Sequence, residues 1–281
     1  MTAPTVPVGA PRRPVRPALL TGVAFLVLLA VAVIAPRALT SIDPTAADPL
    51  QILQPPGAGH WLGTDQNGRD VFARIVAGAR PSVLIGIFSS ALALLAGTVL
   101  GVLGAKGGRV GSAIVTRLLD IVLAVPGLLL VLLAVAVLGS GTGPAVAGLA
   151  LVTTPGYARL VRGEVIRLRD AEFVRAAHGL GWTRTQVVLR HVVPNAMGPV
   201  TVLATLGIGS TIAAAASLSY LGLGAQEPAA EWGLMLSVST AYFSRAWWSA
   251  VFPGIAITAT VLAITVVGHH LQLRFDGRRA S

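Results

Sequence analysis

Few residues of this chain combine the type and the spacing that catalysis or metal binding requires. The sequence has no cysteine, which excludes disulfides and thiolate metal sites, and its five histidines lack the HExxH spacing of a zinc site. Its only lysine, Lys106, is followed by two glycines instead of the Ser or Thr of a GxxxxGK[ST] phosphate loop. We therefore predict no catalytic residue, metal ligand or cofactor here, and we do not expect an enzyme.

Ionisable residues are almost absent from the long apolar runs of the sequence. Arg117 and Asp120 stand at the start of one run, and His269 and His270 stand at the end of another. We interpret all four as anchors at the membrane interface. Because proton and sodium relays need ionisable groups within the bilayer, a transporter of this composition must take its energy from another subunit.

The composition is that of a membrane protein. Of the 281 residues, 54% are hydrophobic and 11% are charged, whereas about a quarter of the residues of a soluble domain are charged. The net charge of +10 would suggest nucleic acid in a soluble protein. In a membrane protein such an excess is typical of cytoplasmic loops. We therefore expect lipid as a partner and no nucleic acid.

The apolar runs predict an all-α protein with six transmembrane helices. A crossing needs about 20 apolar residues, and the uncharged runs are 18–35, 81–105, 121–158, 199–223 and 246–268. The run 121–158 is too long for one crossing, and the glycine-rich cluster 139–144 divides it. With a cytoplasmic N-terminus, 16 of the 21 basic residues lie inside. The positive-inside rule then places both termini in the cytoplasm.

The segments outside the runs divide the chain further. Residues 1–17 are a basic tail that we predict to be disordered, 81–270 form a core of five crossings, and 271–281 form a cytoplasmic tail. The run 18–35 is interpreted as a retained span, although a signal peptide has a similar pattern. In the external segment 36–80, we predict an amphipathic helix at the outer membrane interface, capped at Asp65 or Asn67. Its DQNGRD stretch favours a cap and turn over a calcium loop.

The cytoplasmic segment 159–198 predicts two short helices. Asp170 is placed to cap the first helix, which ends at Gly179 and Gly181. Its predicted apolar face is Phe173, Val174, Ala177 and Leu180, and its other side is Glu172, Arg175 and His178. The second helix begins with the capping box 183–186 and stops before Pro194. Two interpretations remain open: the apolar face packs on the chain's own helix ends, or it docks on a partner.

Small residues are concentrated inside two of the spans. Gly97 and Gly101 form a GxxxG pair, which allows helices to approach closely. The stretch 207–219 is also rich in small residues, and it either packs closely or leaves room for a solute path. The hydroxyls available to such a path are those of Ser210, Thr211, Ser217 and Ser219.

Several motifs resemble a known transporter family. FVRAAHGLGW followed by RHVVPNA is similar to the cytoplasmic EAA loop of binding-protein-dependent ABC importer permeases. Ala176, Ala177, Gly181 and Pro194 match that loop, whereas Arg175, His191 and Val193 depart from it. HWLGTDQNGRD, LSYLGLGAQEP and EWGLML resemble the C-type permease subunit of dipeptide, oligopeptide and nickel importers. The external motif contributes Gly63, Thr64, Asp65, Gly68, Arg69 and Asp70.

The resemblance implies a type I importer permease fold of the MetI-like kind. It also implies a homologous B-type permease, two cytoplasmic ATPase subunits that carry ATP and Mg, and an external solute-binding protein as partners. The helix containing Glu172 and His178 would couple to an ATPase, with Phe173, Ala176, Ala177 and Gly179 docked in its groove. Gly181 would form the turn, and Pro194 would return the chain to the membrane. Peptides are the implied cargo; the alternatives are nickel or another small solute, and a channel that works alone.

Overall fold

The structure is a computed structural model that describes residues 16–169 and 171–277. Within these ranges the chain forms ten α-helices and no β-strand, which confirms the predicted all-α class. The helices are α1 (Arg16–Ile34), α2 (Val71–Lys106), α3 (Gly108–Ala124), α4 (Gly127–Leu138), α5 (Thr142–Arg169), α6 (Glu172–Gly179), α7 (Arg184–Val187), α8 (Val193–Tyr220), α9 (Trp232–Ser239) and α10 (Trp248–Gly277). Most of the predicted N-terminal tail lies outside the described residues, whereas residues 271–277 of the predicted C-terminal tail belong to α10.

Four helical stretches of the described chain are long and apolar enough to cross a membrane. They cover 17–34, 71–106, 185–220 and 248–273. The helices α3 and α4 together are also long and apolar enough, but the pair is bent by 90°. If the pair counts as one crossing, the described chain has five crossings. The predicted sixth crossing is α5, which is 28 residues long but carries five charged side chains in its second half. The six crossings and the cytoplasmic termini stay predictions.

The bend between α3 and α4 corrects the predicted third crossing. The sequence suggested one helix from residue 121 to the glycine cluster, but α3 ends at Ala124 and Val125 is extended (φ −94°, ψ 131°). Pro126 is responsible, because a proline disfavours the helical conformation of the residue before it. The 12 residues of α4 span only about 18 Å at 1.5 Å per residue. The predicted break at residues 139–144 is confirmed, since α4 ends at Leu138 and α5 begins at Thr142.

The predicted amphipathic helix at the outer interface is wrong. Residues 71–80 are the first turns of α2, which continues through Pro81 as one helix of 36 residues. Their apolar side chains are buried against Trp232 and Trp248 instead of lipid. The N-cap is Asp70, whose carboxylate accepts a 2.7 Å hydrogen bond from the backbone N–H of Ala73. The boundary at residue 80 therefore falls inside a helix.

The most extensive contact in the membrane part joins α2 to α5, and glycine makes it possible. A Cβ atom on Gly97 would lie 2.6 Å from Tyr157 Cβ and 2.9 Å from the backbone N of Ala158. A Cβ atom on Gly101 would lie 2.7 Å from the carbonyl oxygen of Ala158. These clearances exclude any side chain, so the prediction of close packing at the GxxxG pair is confirmed.

Replacing Gly97 by valine is expected to destabilise this contact. Gly97→Val forces α2 and α5 apart, and we expect the free energy of unfolding to fall by about 1–3 kcal/mol, as for other overpacked cores. The measurement is thermal unfolding of the purified protein in detergent. Gly156→Val in α5 is the matched control, because nothing lies within 4 Å of a Cβ atom there. Equal losses in the two variants would contradict the packing argument.

Candidate functional site

The predicted cytoplasmic segment folds into a compact unit, the cytoplasmic knob (residues 171–192), which joins α5 to α8. The segment is shorter than the predicted 159–198, because α5 extends to Arg169 and α8 begins at Val193. The predicted stop before Pro194 is also wrong. A turn of π-helix, Val188–Val192, precedes α8, and the N–H of Val193 donates to the carbonyl of Val188. This wider turn tolerates Pro194, which lacks an N–H, so the helix continues into the membrane.

The turn between α6 and α7 is rigid. Gly181 has φ +85°, and the N–H of Trp182 donates to the carbonyl of Ala177 at 3.2 Å. This is a Schellman motif, in which glycine readily adopts the left-handed conformation. The predicted capping box is confirmed: the N–H of Gln186 donates to Thr183 Oγ1 at 3.3 Å, and the N–H of Thr183 donates to Gln186 Oε1 at 3.0 Å. The predicted cap Asp170 lies outside the described residues.

One face of the knob packs on the chain's own helices. Val174, Ala177 and Val187 are buried in a cluster with residues of α5 and α8. The Trp182 ring lies beside the knob's own Arg190 and His191, with 5.5 Å between its centroid and the Arg190 guanidinium carbon. Ala177 is only 7% exposed. The Ala177 side chain therefore packs mainly on the chain's own helices, and its docking in an ATPase stays a prediction.

Part of the surface of α6 is uncovered, and we call it the docking face: Phe173, Ala176, Gly179 and Leu180. Phe173 is 40% exposed and Leu180 is 79% exposed. The predicted apolar face is therefore only partly covered, because Val174 and Ala177 are buried whereas Phe173 and Leu180 beside them are not. Glu172 and Arg175 are exposed as well, and the side chain of His178 lies outside the part that the structure describes.

The hydroxyls predicted for a solute path divide into two pairs. Ser210 and Ser217 lie on an exposed face of α8, where each donates to a backbone carbonyl of its own helix. Thr211 and Ser219 are buried, and Thr211 Oγ1 accepts a 3.1 Å hydrogen bond from Ser90 of α2. Thr211 and Ser219 therefore pack inside the chain in this conformation, and the assignment of the four hydroxyls to a path stays a prediction.

The external motif forms a buried polar cluster at the start of α2. Asp65 Oδ1 accepts from the backbone N–H groups of Asn67 and Arg69 at 2.8 and 2.9 Å. Its second carboxylate oxygen lies 3.4 Å from Arg74 Nε. Asp65 thus organises a turn, which confirms the predicted turn, whereas the predicted cap at Asp65 or Asn67 is wrong because Asp70 caps the helix. His60 Nδ1 lies 2.7 Å from Asp70 Oδ2 and ties the preceding loop to the same point.

This cluster joins three external segments, and we call the assembly the external clasp (residues 63–74, 227–232 and 248). Trp248 Nε1 donates to the carbonyl of Thr64 at 3.1 Å. Arg74 Nη2 donates to the carbonyl of Ala229 at 3.1 Å, and Arg69 Nη1 lies 3.8 Å from Glu227 Oε1. Gly63 and Gly68 have φ +76° and +72°, which glycine adopts easily. The six predicted motif residues therefore have a structural use.

The sequence indicated neither Arg74 nor Glu231 as important. Glu231 is buried, caps α9 through the N–H groups of Gly233 and Leu234, and accepts from Ser82 of α2 at 3.2 Å. Only the position of each residue at the start of a helix signalled a role. Within residues 16–169 and 171–277, no group of three or more His, Cys, Asp or Glu residues could hold a metal ion.

Removing Asp65 is expected to weaken the clasp. Asp65→Ala leaves the buried guanidinium of Arg74 without its carboxylate, and breaking a buried pair in this way costs about 3–5 kcal/mol. The measurement is the thermal midpoint in detergent. Glu164→Gln is the control, since its partner Arg167 is about half exposed and such pairs contribute roughly 0–1 kcal/mol. A loss for Asp65→Ala no larger than that of the control would disprove the role of the pair.

Comparison with known proteins identifies the family. The dipeptide transport system permease protein DppC of Alkalihalophilus pseudofirmus is 42% identical over 251 residues, which cover 89% of this chain and 82% of that protein. The probable D,D-dipeptide transport system permease protein DdpC of Escherichia coli is 39% identical over 261 residues, or 92% and 87% of the two chains. Residues 93–281 match the family described as binding-protein-dependent transport system inner membrane component.

Solved structures share the fold. A chain of the MetNI methionine ABC transporter in an inward-facing conformation aligns with a TM-score of 0.57 and 18% identity, covering 72% of this chain and 96% of that one. A chain of an amino acid ABC transporter with histidines aligns with a TM-score of 0.58 and 14% identity, covering 72% and 94%. The predicted importer permease fold is thus confirmed. The chain belongs to the binding-protein-dependent transport system inner membrane components, the multi-pass permease subunits of bacterial ABC importers, which are not themselves the ATPases.

Proposed function

We propose that this chain is the C-type permease subunit of an ATP-driven importer of di- and oligopeptides. It forms the solute path with a homologous B-type permease and works with two cytoplasmic ATPase subunits, which bind ATP and Mg, and an external solute-binding protein. The names of the two relatives, both dipeptide permeases, support the class of cargo. The path on this chain is the exposed face of α8 that carries Ser210 and Ser217.

The docking face is the observation on which the coupling mechanism rests. Phe173, Ala176 and Leu180 expose apolar surface on a knob that should face the cytoplasm, and such surface is typical of a protein contact. The knob is fixed to α5 and α8 by its buried face. When ATP closes the ATPase dimer, a subunit held at the docking face moves the knob, and α5 and α8 move with it. ATP shifts the permease only by its different affinity for the two states.

Reconstitution tests the function directly. We expect proteoliposomes with both permeases, both ATPases and the binding protein to accumulate labelled dialanine only when ATP reaches the ATPases. Liposomes that lack the ATPases should show background flux, because the chain alone has no energy source. Flux without ATPases would establish a stand-alone channel instead. Uptake of nickel without uptake of dialanine would overturn the class of cargo.

A charge on the docking face should uncouple the subunits. Ala176→Asp places an unpaired carboxylate in an apolar contact, and we expect solute-stimulated ATP hydrolysis to fall by roughly tenfold, since each 1.4 kcal/mol of lost binding is a factor of ten. Thr185→Asp is the matched control on the same knob. Thr185 is exposed and accepts from Lys106 Nζ at 3.3 Å, so an aspartate there keeps a partner. Wild-type stimulation in Ala176→Asp would remove the docking assignment.

A further inference from the structure

Two arginines of α5 face three polar side chains of α3, and we call this contact the polar seam (Ser112, Thr116, Asp120, Arg159 and Arg162). Arg159 Nη2 lies 2.7 Å from Asp120 Oδ1. One turn further along α5, Arg162 Nη2 donates to Ser112 Oγ at 2.6 Å, and Arg162 Nη1 donates to Thr116 Oγ1 at 3.4 Å. The three α3 residues are spaced four apart, so they line one side of the helix.

Few side chains of α3 are buried, although the helix also packs along α2. Its buried residues are Val115 and Leu119, whose side chains lie in a small cluster with Leu100 of α2 and Ala158 of α5. Another side of α3 exposes a row of apolar residues: Val110, Ile114, Leu118 and Ile121. After the 90° bend, α4 follows α3 along the chain. The seam therefore supplies the polar part of the contact between α3 and α5.

Asp120 was interpreted from the sequence as an interfacial anchor, and the structure gives it a different use. It is the only acidic residue between Asp70 and Glu164, and its carboxylate is taken by Arg159 although the two side chains are 45% and 54% exposed. Arg162 is more enclosed, and its Nε has no hydrogen-bond partner among the described residues. Contacts with α3 therefore orient the side chains of Arg159 and Arg162.

We infer that Asp120, Arg159 and Arg162 are positioning residues for transport, which make α3 follow α5 when the knob moves. α5 is one helix from Thr142 to Arg169, and it ends directly before the knob. A displacement of the knob therefore reaches the seam through a rigid helix, and the charge-assisted bonds pass it to α3. This inference rests on the proposed function, because it needs an ATPase that moves the knob.

The first test measures the solute moved per ATP hydrolysed in the full reconstituted transporter. In Asp120→Asn and Arg159→Gln we expect this ratio to fall by roughly three- to tenfold, the range for residues that modulate coupling between sites, while ATP hydrolysis persists in the partner subunits. Asp120→Glu restores the carboxylate and should recover most of the ratio. Ser112→Ala, which removes a single hydroxyl, should lower the ratio less and guards against a folding defect.

The outcomes separate the two proposals. Wild-type transporter without ATP-dependent uptake would defeat the proposed function itself. If the wild-type transporter is active and the solute moved per ATP is unchanged in Asp120→Asn and Arg159→Gln, only the inference about the seam is overturned. A raised KM for dialanine with an unchanged ratio would show that the pair contacts the solute, and the positioning role would be wrong.

The second test follows the distance between α3 and α5. Because the chain has no cysteine, spin labels can be attached through cysteines at the exposed positions Val110 and Ile166. With an intact seam, the distance between the labels should be the same without nucleotide and with ATP trapped. In the Asp120→Asn, Arg162→Gln background it should change or broaden. A pair at Ile166 and Thr185, within α5 and the knob, is the control. A nucleotide-dependent change with the seam intact would refute the inference.

Discussion

The contact between α2 and α5 is the constraint on which the other features depend. Gly97 and Gly101 let the two backbones touch, and in a bilayer such packing replaces the hydrophobic driving force that water provides elsewhere. The external clasp is built at the N-terminal end of α2, and the cytoplasmic knob follows the C-terminal end of α5. The glycine contact therefore connects the side of the protein that should receive solute to the side that should contact the ATPases.

The two ends of this helix pair differ in physical character. The clasp is polar and buried: Asp65 and Arg74 pair with each other and with backbone groups, and Glu231 accepts from a serine and from backbone N–H groups. Directional bonds of this kind fix one arrangement of the external segments. The knob is apolar and divided, with one face in the chain's own core and the docking face uncovered. Because only one face is buried, the knob can be fixed to the chain's own helices and still bind a partner with its docking face.

The polar seam extends this arrangement to the bent pair α3 and α4. Packing buries only two apolar side chains of α3, whereas α4 packs directly on α5, where Val131 and Leu149 lie in one buried cluster. Ion pairs and hydrogen bonds at a half-exposed site are individually modest, yet they are directional and can be broken. A helix held in this way follows its neighbour and can also be released, which suits a transporter that alternates between two states.

Local chemistry in the sequence was sufficient to predict several features. The apolar runs, the glycine break at residues 139–144, the capping box at Thr183 and the turn at Gly181 follow from propensity and hydrogen bonding over a few residues. The motif at Ala176 and Ala177 also placed the knob correctly along the chain. These features depend on neighbours in sequence, which any reader of the sequence can see.

Tertiary contacts decided the rest. Helical spacing could not show how much of the apolar face of α6 is covered. Ala177 and Leu180 were assigned to one face, but α5 and α8 cover only Ala177. Likewise, residues 71–80 read as amphipathic because their partners Trp232 and Trp248 lie more than 150 positions away. The sequence by itself determined which stretches are helical and where the chain breaks at the glycine cluster, caps at Thr183 and turns at Gly181. Which faces are buried, and which charges meet, depended on helices that only the fold brings together.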